Sequence, residues 1–328
     1  MKKVLVTGGA GFLGSHLVEQ LLEQGADVVA IDNLFRGTMS NLETVVGNPR
    51  FSFIDGDILD ERLLREAVNG CDIIFHLAAI NGTKYFYDAP KLVLEVNIGG
   101  TENVLKVAQE SGVQRVLFTS SSEVYGRTEV IPTPEDSQST FSPSTGVRWC
   151  YATSKLVDEH MCLAFSRETG LDTIILRLFN AYGPRQVSSE YGQVVGIFAR
   201  QLLKGEPMTI YGDGQQTRSF TYVGDIVDGI VKAASAETAS GDVFNIGSED
   251  EITIDDLAEV MSGLVGMSQD VDRIHAGIFK DEPLRRCPSI RKAKLAFGYE
   301  PKVDLASGLI KTIDWFKERM DLVCSKSV

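Results

Sequence analysis

Nowhere in the 328 residues does an apolar run approach the ~20 positions that a membrane-spanning helix needs, so no membrane partner is expected. Internal repeats and low-complexity tracts are also lacking, which leaves no sign of a repeat array or a linker-dominated chain. Positive charge is in short supply: 32 Lys and Arg stand against 45 Asp and Glu, for a net charge of −13. That balance argues against a nucleic-acid or anionic-membrane surface. It leaves room for a phosphate-bearing ligand, because a local arginine cluster overrides the global field. Cysteine is sparse as well. The five (Cys71, Cys150, Cys162, Cys287, Cys324) are odd in number, scattered and without metal-ligand spacing, the pattern of reduced thiols in a cytoplasmic protein. The chain runs straight into its first strand, from which no signal peptide is expected. Hydrophobic content of 43% and charged content of 23% suit a globular enzyme of one large or two modest domains.

What is present organises around Val4-Leu5-Val6-Thr7-Gly8-Gly9-Ala10-Gly11-Phe12-Leu13-Gly14. Lys3 to Val6 reads as a buried parallel strand, and Leu13, Leu17, Val18, Leu21 and Leu22 follow at helical spacing. Gly8, Gly11 and Gly14 put side-chain-free positions at the switch between them. There the backbone can approach a pyrophosphate seated on the helix N-terminus. A second strand, Val28 to Ile31, ends in Asp32, close to the spacing at which a carboxylate binds the adenosine ribose hydroxyls. An aspartate suits a free 2′-hydroxyl and repels a 2′-phosphate, which favours NAD over NADP. Arg36 nearby keeps the phosphorylated form open, although a solvated loop arginine explains it as well.

Further strands are expected at Phe51–Ile54, Asp72–His76, Arg115–Ser120 and Asp172–Phe179. Helices are expected at Asp60–Asn69, Pro90–Ser111 (with Gly112 as its C-cap glycine) and Tyr151–Thr169. Ile80–Ala89, rich in aromatics, reads as a loop, and Ile131–Gly146 as a surface loop near the site. This alternation predicts an α/β, Rossmann-type doubly wound parallel sheet, with ligands beyond the carboxyl ends of its strands. After Asn180 the rhythm fails. Helices at Tyr191–Lys204, Thr253–Val265 and Asp304–Met320 and a strand at Met208–Tyr211 suggest a smaller, discontinuous C-terminal substrate domain, built from 181–221 and 248–328. Residues 1–180, rejoined by about 222–247, make the cofactor domain.

Tyr151-Ala152-Thr153-Ser154-Lys155 sets a phenol and an ammonium at i and i+4, on one helical face. A lysine near a tyrosine favours the phenolate, which is a competent base for a sugar or alcohol hydroxyl. Ser121, at a strand end, can hydrogen-bond the same hydroxyl.

Those segments, with Ser120-Ser121-Ser122-Glu123-Val124-Tyr125-Gly126, Leu178 to Arg185, Arg218 to Val223 and Phe244 to Gly247, resemble the extended short-chain dehydrogenase/reductase family. The nearest likeness is to nucleotide-sugar epimerases, dehydratases and UDP-glucuronate decarboxylases. The resemblance implies NAD as cofactor and a nucleotide sugar as substrate. It sets Gly8, Gly11, Phe12, Leu13, Asp32, Asn33, Arg36, Asp57, Ile58, Leu77, Ala78, Ala79 and Asn97 against the cofactor, together with Tyr151 and Lys155. Ser121, Glu123, Tyr151 and Lys155 are implied as catalytic. Ser122, Asn180, Arg185, Arg218, Arg285 and Arg286 are implied as substrate-binding, the arginines on phosphate or nucleotide. A homodimer is implied through the helices Pro90–Ser111 and Tyr151–Thr169, with Val104, Leu105, Met161 and Leu163 as candidate contacts.

Tyr151 would take the proton of a sugar 4-hydroxyl as hydride leaves C4, giving a 4-keto sugar. From there the reading divides. The main expectation is a 4-epimerase of a UDP-sugar. The alternative is a nucleotide-sugar lyase, a decarboxylase or dehydratase, that uses Glu123. A remote third reading is a non-catalytic NAD-sensing protein, against which the intact Ser121, Tyr151 and Lys155 argue.

Overall fold

A computed structural model describes residues 2–142, 144, 146–189, 192–266, 272–277 and 283–319. Six strands, β1 (Lys3–Thr7), β2 (Asp27–Asp32), β3 (Phe51–Asp55), β4 (Ile73–His76), β5 (Arg115–Ser121) and β6 (Asp172–Leu178), join the strand Asp242–Ile246 in one sheet. Every pairing in it is parallel. From one edge the order is Asp242–Ile246, β6, β5, β4, β1, β2, β3. The chain therefore changes its direction of travel between β1 and β4, and a crevice opens at that switch point. The register Thr7↔His76 brings the glycine turn after β1 level with Leu77 to Ala79 after β4.

Helices cover both faces, which is why the strands are apolar throughout. In β1, Val4 and Val6 point to one side, where α1 (Phe12–Glu23) supplies Leu17 and Leu21. Leu5 points to the other, where α2 (Glu61–Val68) contributes Leu64 and Val68. Asp60 caps α2, its side chain accepting from Arg62 N and Leu63 N. Following α2, α3 (Thr83–Asp88) and α4 (Pro90–Glu110) enter with Ala89 between them, and α5 (Cys150–Thr169) packs beside α4. Val104, Leu105 and Cys162 from α4 and α5 complete the second face. The aromatic segment expected as a loop is thus a helix over Tyr85, Phe86 and Tyr87. Phe86 turns inward there and joins Val93 and Tyr151 in a small cluster.

A second lobe holds α6 (Val194–Lys204), the helix Ile254–Leu264 and the helix Leu305–Glu318 around Phe198, Met208, Ile210, Leu257, Leu309 and Phe316. Thr253 caps Ile254–Leu264 by accepting from Asp256 N at 3.0 Å. In this lobe Thr217–Ser219 pairs in parallel with Arg285–Arg286, register Arg286↔Arg218, so two arginines lie side by side. The chain returns to the sheet twice. First α7 (Val223–Ser235) and Asp242–Ile246 join it, α7 through Ile226 and Ile230. Later Ile290, Ala293 and Tyr299 pack on the same core. Because of that second return, 248–328 is not wholly substrate lobe as the sequence suggested. Tyr191, Met320 and Cys324 lie outside the described residues. Among the described residues no helix is long and apolar enough to cross a membrane.

Candidate active site

A cleft of about 1110 Å³ runs along the carboxyl ends of the strands and between the lobes. Its first half is made by the glycine turn. Gly8 has φ +70°, and a Cβ there would stand 2.9 Å from Ala78 N; a Cβ on Gly14 would stand 2.0 Å from Gly8 O. Side-chain-free residues are therefore required where these backbones touch. Gly11 caps α1 with no side-chain acceptor, so the first-turn N–H groups of Phe12 and Leu13 are left for a ligand in the cleft that these residues line.

Beside the turn, Asp32 accepts from Ala10 N at 3.0 Å and Leu34 N at 2.8 Å. Burial pushes its carboxyl above the usual range, and the two amides counter that. Asp57 accepts from Asn33 Nδ2 at 2.8 Å and Leu59 N at 2.9 Å. Ile58, Leu77, Ala78 and Ala79 complete this wall. Beneath it, Thr7 Oγ1 accepts from Leu77 N and Ala78 N, both at 3.2 Å, so its proton goes to His76 Nδ1 at 2.7 Å. His76 then donates through Nε2 to Thr101 Oγ1 at 3.1 Å. Burial holds this imidazole neutral, its pKa lowered to about 3.

Farther along, Ser121, Ser122, Glu123, Tyr151 and Lys155 meet in the cleft. The Tyr151 ring stacks on Phe86 at 4.9 Å and its hydroxyl hydrogen-bonds Ser121. Burial raises the phenol above its ordinary range, and Glu123 adds to that; the Ser121 bond and Arg36 pull the other way. Lys155 was expected to act on the phenol directly. In the free chain it instead donates to Thr119 O at 3.1 Å and lies over the Phe118 ring, and the cation acting most on Tyr151 is Arg36. Arg36 itself is not a solvated loop residue. It bonds Asn81 O and covers the Tyr85 ring at 5.4 Å.

Glu123 is largely but not fully buried, its side chain 14% exposed, and it is fully engaged. Arg148 donates to it from Nη1 at 2.9 Å and Nη2 at 3.3 Å, and Arg286 Nη1 donates from the second lobe. The two guanidinium groups hold its carboxyl far below the usual carboxylate range, so it is an anion at neutral pH. Arg286 Nη2 is buried without a hydrogen-bond partner among the described residues, and the residue lines the cleft. Arg218 and Asn180 line it too, with Arg218 Nη1 donating to Thr217 O and Asn180 Nδ2 to Ser219 O.

Three expected contacts fall elsewhere. Asn97 sits behind the cleft wall, where its Oδ1 accepts from Ile80 N at 2.8 Å and its Nδ2 donates to Ser154 Oγ. It holds the loop after β4 rather than a ligand. Arg185 turns to α1 and pairs with Glu19 at 2.6 Å. Arg285 points outward, exposed, onto Glu251. Sequence reasoning in turn missed Arg148, three residues before Tyr151, and the buried Asp158, neither of which belongs to a spaced pattern.

The dinucleotide fits what is there. An uncapped helix start and a glycine cradle suit a pyrophosphate, Asp32 suits ribose hydroxyls, and Arg36 is committed away from a 2′-phosphate. Such a crevice, with a Ser–Tyr–Lys set beneath a second lobe carrying two arginines, defines the class. The chain belongs to the NAD dependent epimerase/dehydratase family, whose sequence profile matches residues 4–247. It is an NAD-dependent enzyme of the extended short-chain dehydrogenase/reductase type. It is 38% identical over 322 residues to a UDP-N-acetyl-alpha-D-glucosaminuronate decarboxylase of Bacillus cytotoxicus, covering 97% of this chain and 98% of that one. UDP-glucuronic acid decarboxylase 1 of Xenopus tropicalis is 39% identical over 321 residues, covering 98% and 73%. The crystal structure of a UDP-glucose 4-epimerase from Thermotoga maritima, holding UDP-glucose, superposes with a TM-score of 0.89 at 32% identity, covering 97% of this chain and 99% of that one.

Proposed function

We propose that this enzyme is a nucleotide-sugar lyase that decarboxylates a UDP-hexuronate. The observation that carries the reading is the buried guanidinium of Arg286. One of its Nη atoms is bound to an ionised Glu123, the other is buried with no hydrogen-bond partner among the described residues, and the side chain lines the cleft. A sugar with a 6-hydroxymethyl group offers such a cation only a neutral acceptor, whereas a 6-carboxylate offers an opposite charge in the planar geometry that a guanidinium matches. The likeness to two decarboxylases over nearly the whole chain supports the same side, and it moves the balance away from the 4-epimerase expected first.

In this reading NAD would be held by the glycine turn, Asp32 and Lys155 and would supply a reversible hydride acceptor at sugar C4. Tyr151 takes the proton of the 4-hydroxyl, with Ser121 bonded to the same oxygen. The resulting 4-ketone makes the C6 carboxylate a β-keto acid. The C5–C6 bond breaks, CO2 leaves, and the electron pair moves onto the C4 oxygen, where Ser121 and Tyr151 donate to it. C5 then takes up a proton from solvent as the electron pair returns from the C4 oxygen and restores the ketone. Glu123, an anion pinned by two arginines, orients Arg286 and the ring and is no acid. Asn180 and Arg218 hold the diphosphate, and the enzyme works as a homodimer.

An epimerase of the same sugar is the second reading, favoured by the likeness to the Thermotoga maritima 4-epimerase and by the shared first step. Calorimetric titration tests the carboxylate contact. UDP-glucuronate is expected to bind about tenfold or more tighter than UDP-glucose, with the preference lost in Arg286→Met. Equal affinities in the wild type would remove the argument from Arg286.

A further inference from the structure

α5 lays Tyr151, Lys155 and Asp158 along one face, at i, i+4 and i+7. The third of them has no part in the chemistry above. Asp158 is fully buried, and among the described residues neither carboxylate oxygen has a hydrogen-bond partner of ordinary length. The hydroxyl that reaches nearest is that of Thr101 on α4, which accepts from His76 Nε2 and so has its own proton to turn toward the carboxylate. A carboxylate placed this way is unfavourable without a counter-charge.

The charged and titratable groups that face it are few. From α5 come Tyr151, whose phenol Asp158 helps to keep protonated, Lys155, Glu159 and Cys162. Glu159 is neutralised by Arg177 of β6, Nη2 to Oε2 at 2.7 Å. Burial pushes the Cys162 thiol far up, so it carries no charge. His76 of β4 stays neutral, and Glu123, after β5, is clamped. The Lys155 ammonium is therefore the charge that acts on Asp158 most directly; burial opposes it and holds the carboxyl up at about 7. Lys155 in turn lines the cleft beside Tyr151, and among the described residues its one hydrogen bond goes to Thr119 O. The reacting end of the cofactor carries a positive charge when oxidised and none when reduced.

We propose that Asp158 is a buried counter-charge for the oxidised cofactor: acting through Lys155, its carboxylate favours the cationic over the reduced nicotinamide and gives up a proton when the cation enters. The O–H bond of Asp158 breaks, its electron pair stays on the carboxylate oxygen, and the proton goes to solvent; nothing is oxidised in this step. Asp158 is thus a positioning residue for the cofactor's redox state. The inference goes beyond the decarboxylase reading and rests only on NAD dependence, so either can fail without the other.

The test is calorimetric titration of the cofactor-stripped chain with NAD+ and with NADH, in buffers of different ionisation enthalpy. At pH 7 NAD+ is expected to release about half a proton, and its affinity relative to NADH to rise about tenfold between pH 6 and 8. NADH, which shares the adenosine half and so cancels any titration of Asp32, is expected to release none. Asp158→Asn is expected to abolish both the release and the pH dependence. Tyr151→Phe, which removes the competing phenol, is expected to keep them. Release that survives Asp158→Asn and vanishes in Tyr151→Phe would overturn the proposal. Thr101→Val provides a second route that leaves Asp158 in place. Removing the hydroxyl is expected to move the midpoint to higher pH, and an unmoved midpoint would count against Asp158.

Discussion

Glu123 is held by guanidinium groups from two places, Arg148 just ahead of α5 and Arg286 in the second lobe. Buried, it would be costly if either cation were missing, because breaking a buried pair leaves an uncompensated charge. Arg148→Met is therefore expected to destabilise the protein by about 3 kcal/mol at pH 7. The sign of the pH dependence follows from the depressed carboxyl. Its contribution is fully present above the ordinary carboxylate range and is lost as pH falls through and below that range. The gap in melting temperature between wild type and Arg148→Met is thus expected to narrow below about pH 4; a gap that is constant with pH would mean that Glu123 is not the ion the clamp stabilises. Ser121, Tyr151 and Lys155 were legible because one helix and one strand end carry them at fixed spacing. Asn97 was misplaced because an amide that ties down Ile80 looks the same in sequence as one that binds a ligand. The Arg148–Glu123–Arg286 triad was legible only in part, since its members meet through tertiary packing.

At the scale of elements, the main sheet was readable from apolar runs and glycine stops, and Gly8 and Gly14 are fixed by backbone contacts that no larger residue allows. α3 was not. Its six residues are too few to show a helical period, and the aromatics that hint at a loop are what anchor it through Phe86. The short strands of the second lobe draw their register from partners far along the chain, as Thr217–Ser219 does from Arg285–Arg286. For α4 and α5 the structure alters the proposed dimer surface. Val104 and Leu105 are spent on the sheet, and Met161 and Leu163 are partly buried against the same core. What remains is an outer face with Val157 exposed and Leu94 and Ile98 half-buried. Light scattering at micromolar concentration is expected to give the mass of two chains, reduced to one by Val157→Glu; a wild-type monomer would remove the dimer.

Taken whole, the molecule sets a cofactor half, built by the first six strands with their helices and completed by two later returns of the chain, against a lobe assembled from separated segments. Arg218 and Arg286 come from that lobe, and they give a chain of net charge −13 two cations lining its cleft. On the reading proposed above, a C6 carboxylate received by Arg286 selects the sugar, and the fate of the C5–C6 bond after oxidation at C4 separates the lyase from an epimerase of the same sugar. The most direct measurement is turnover of UDP-glucuronate, and of its 2-acetamido counterpart, in D2O, followed by mass spectrometry and proton NMR of the product. Decarboxylation predicts loss of CO2 with one deuterium fixed at C5. An isomer of unchanged composition, with C5 still carrying its original hydrogen, would contradict it and make the enzyme a 4-epimerase.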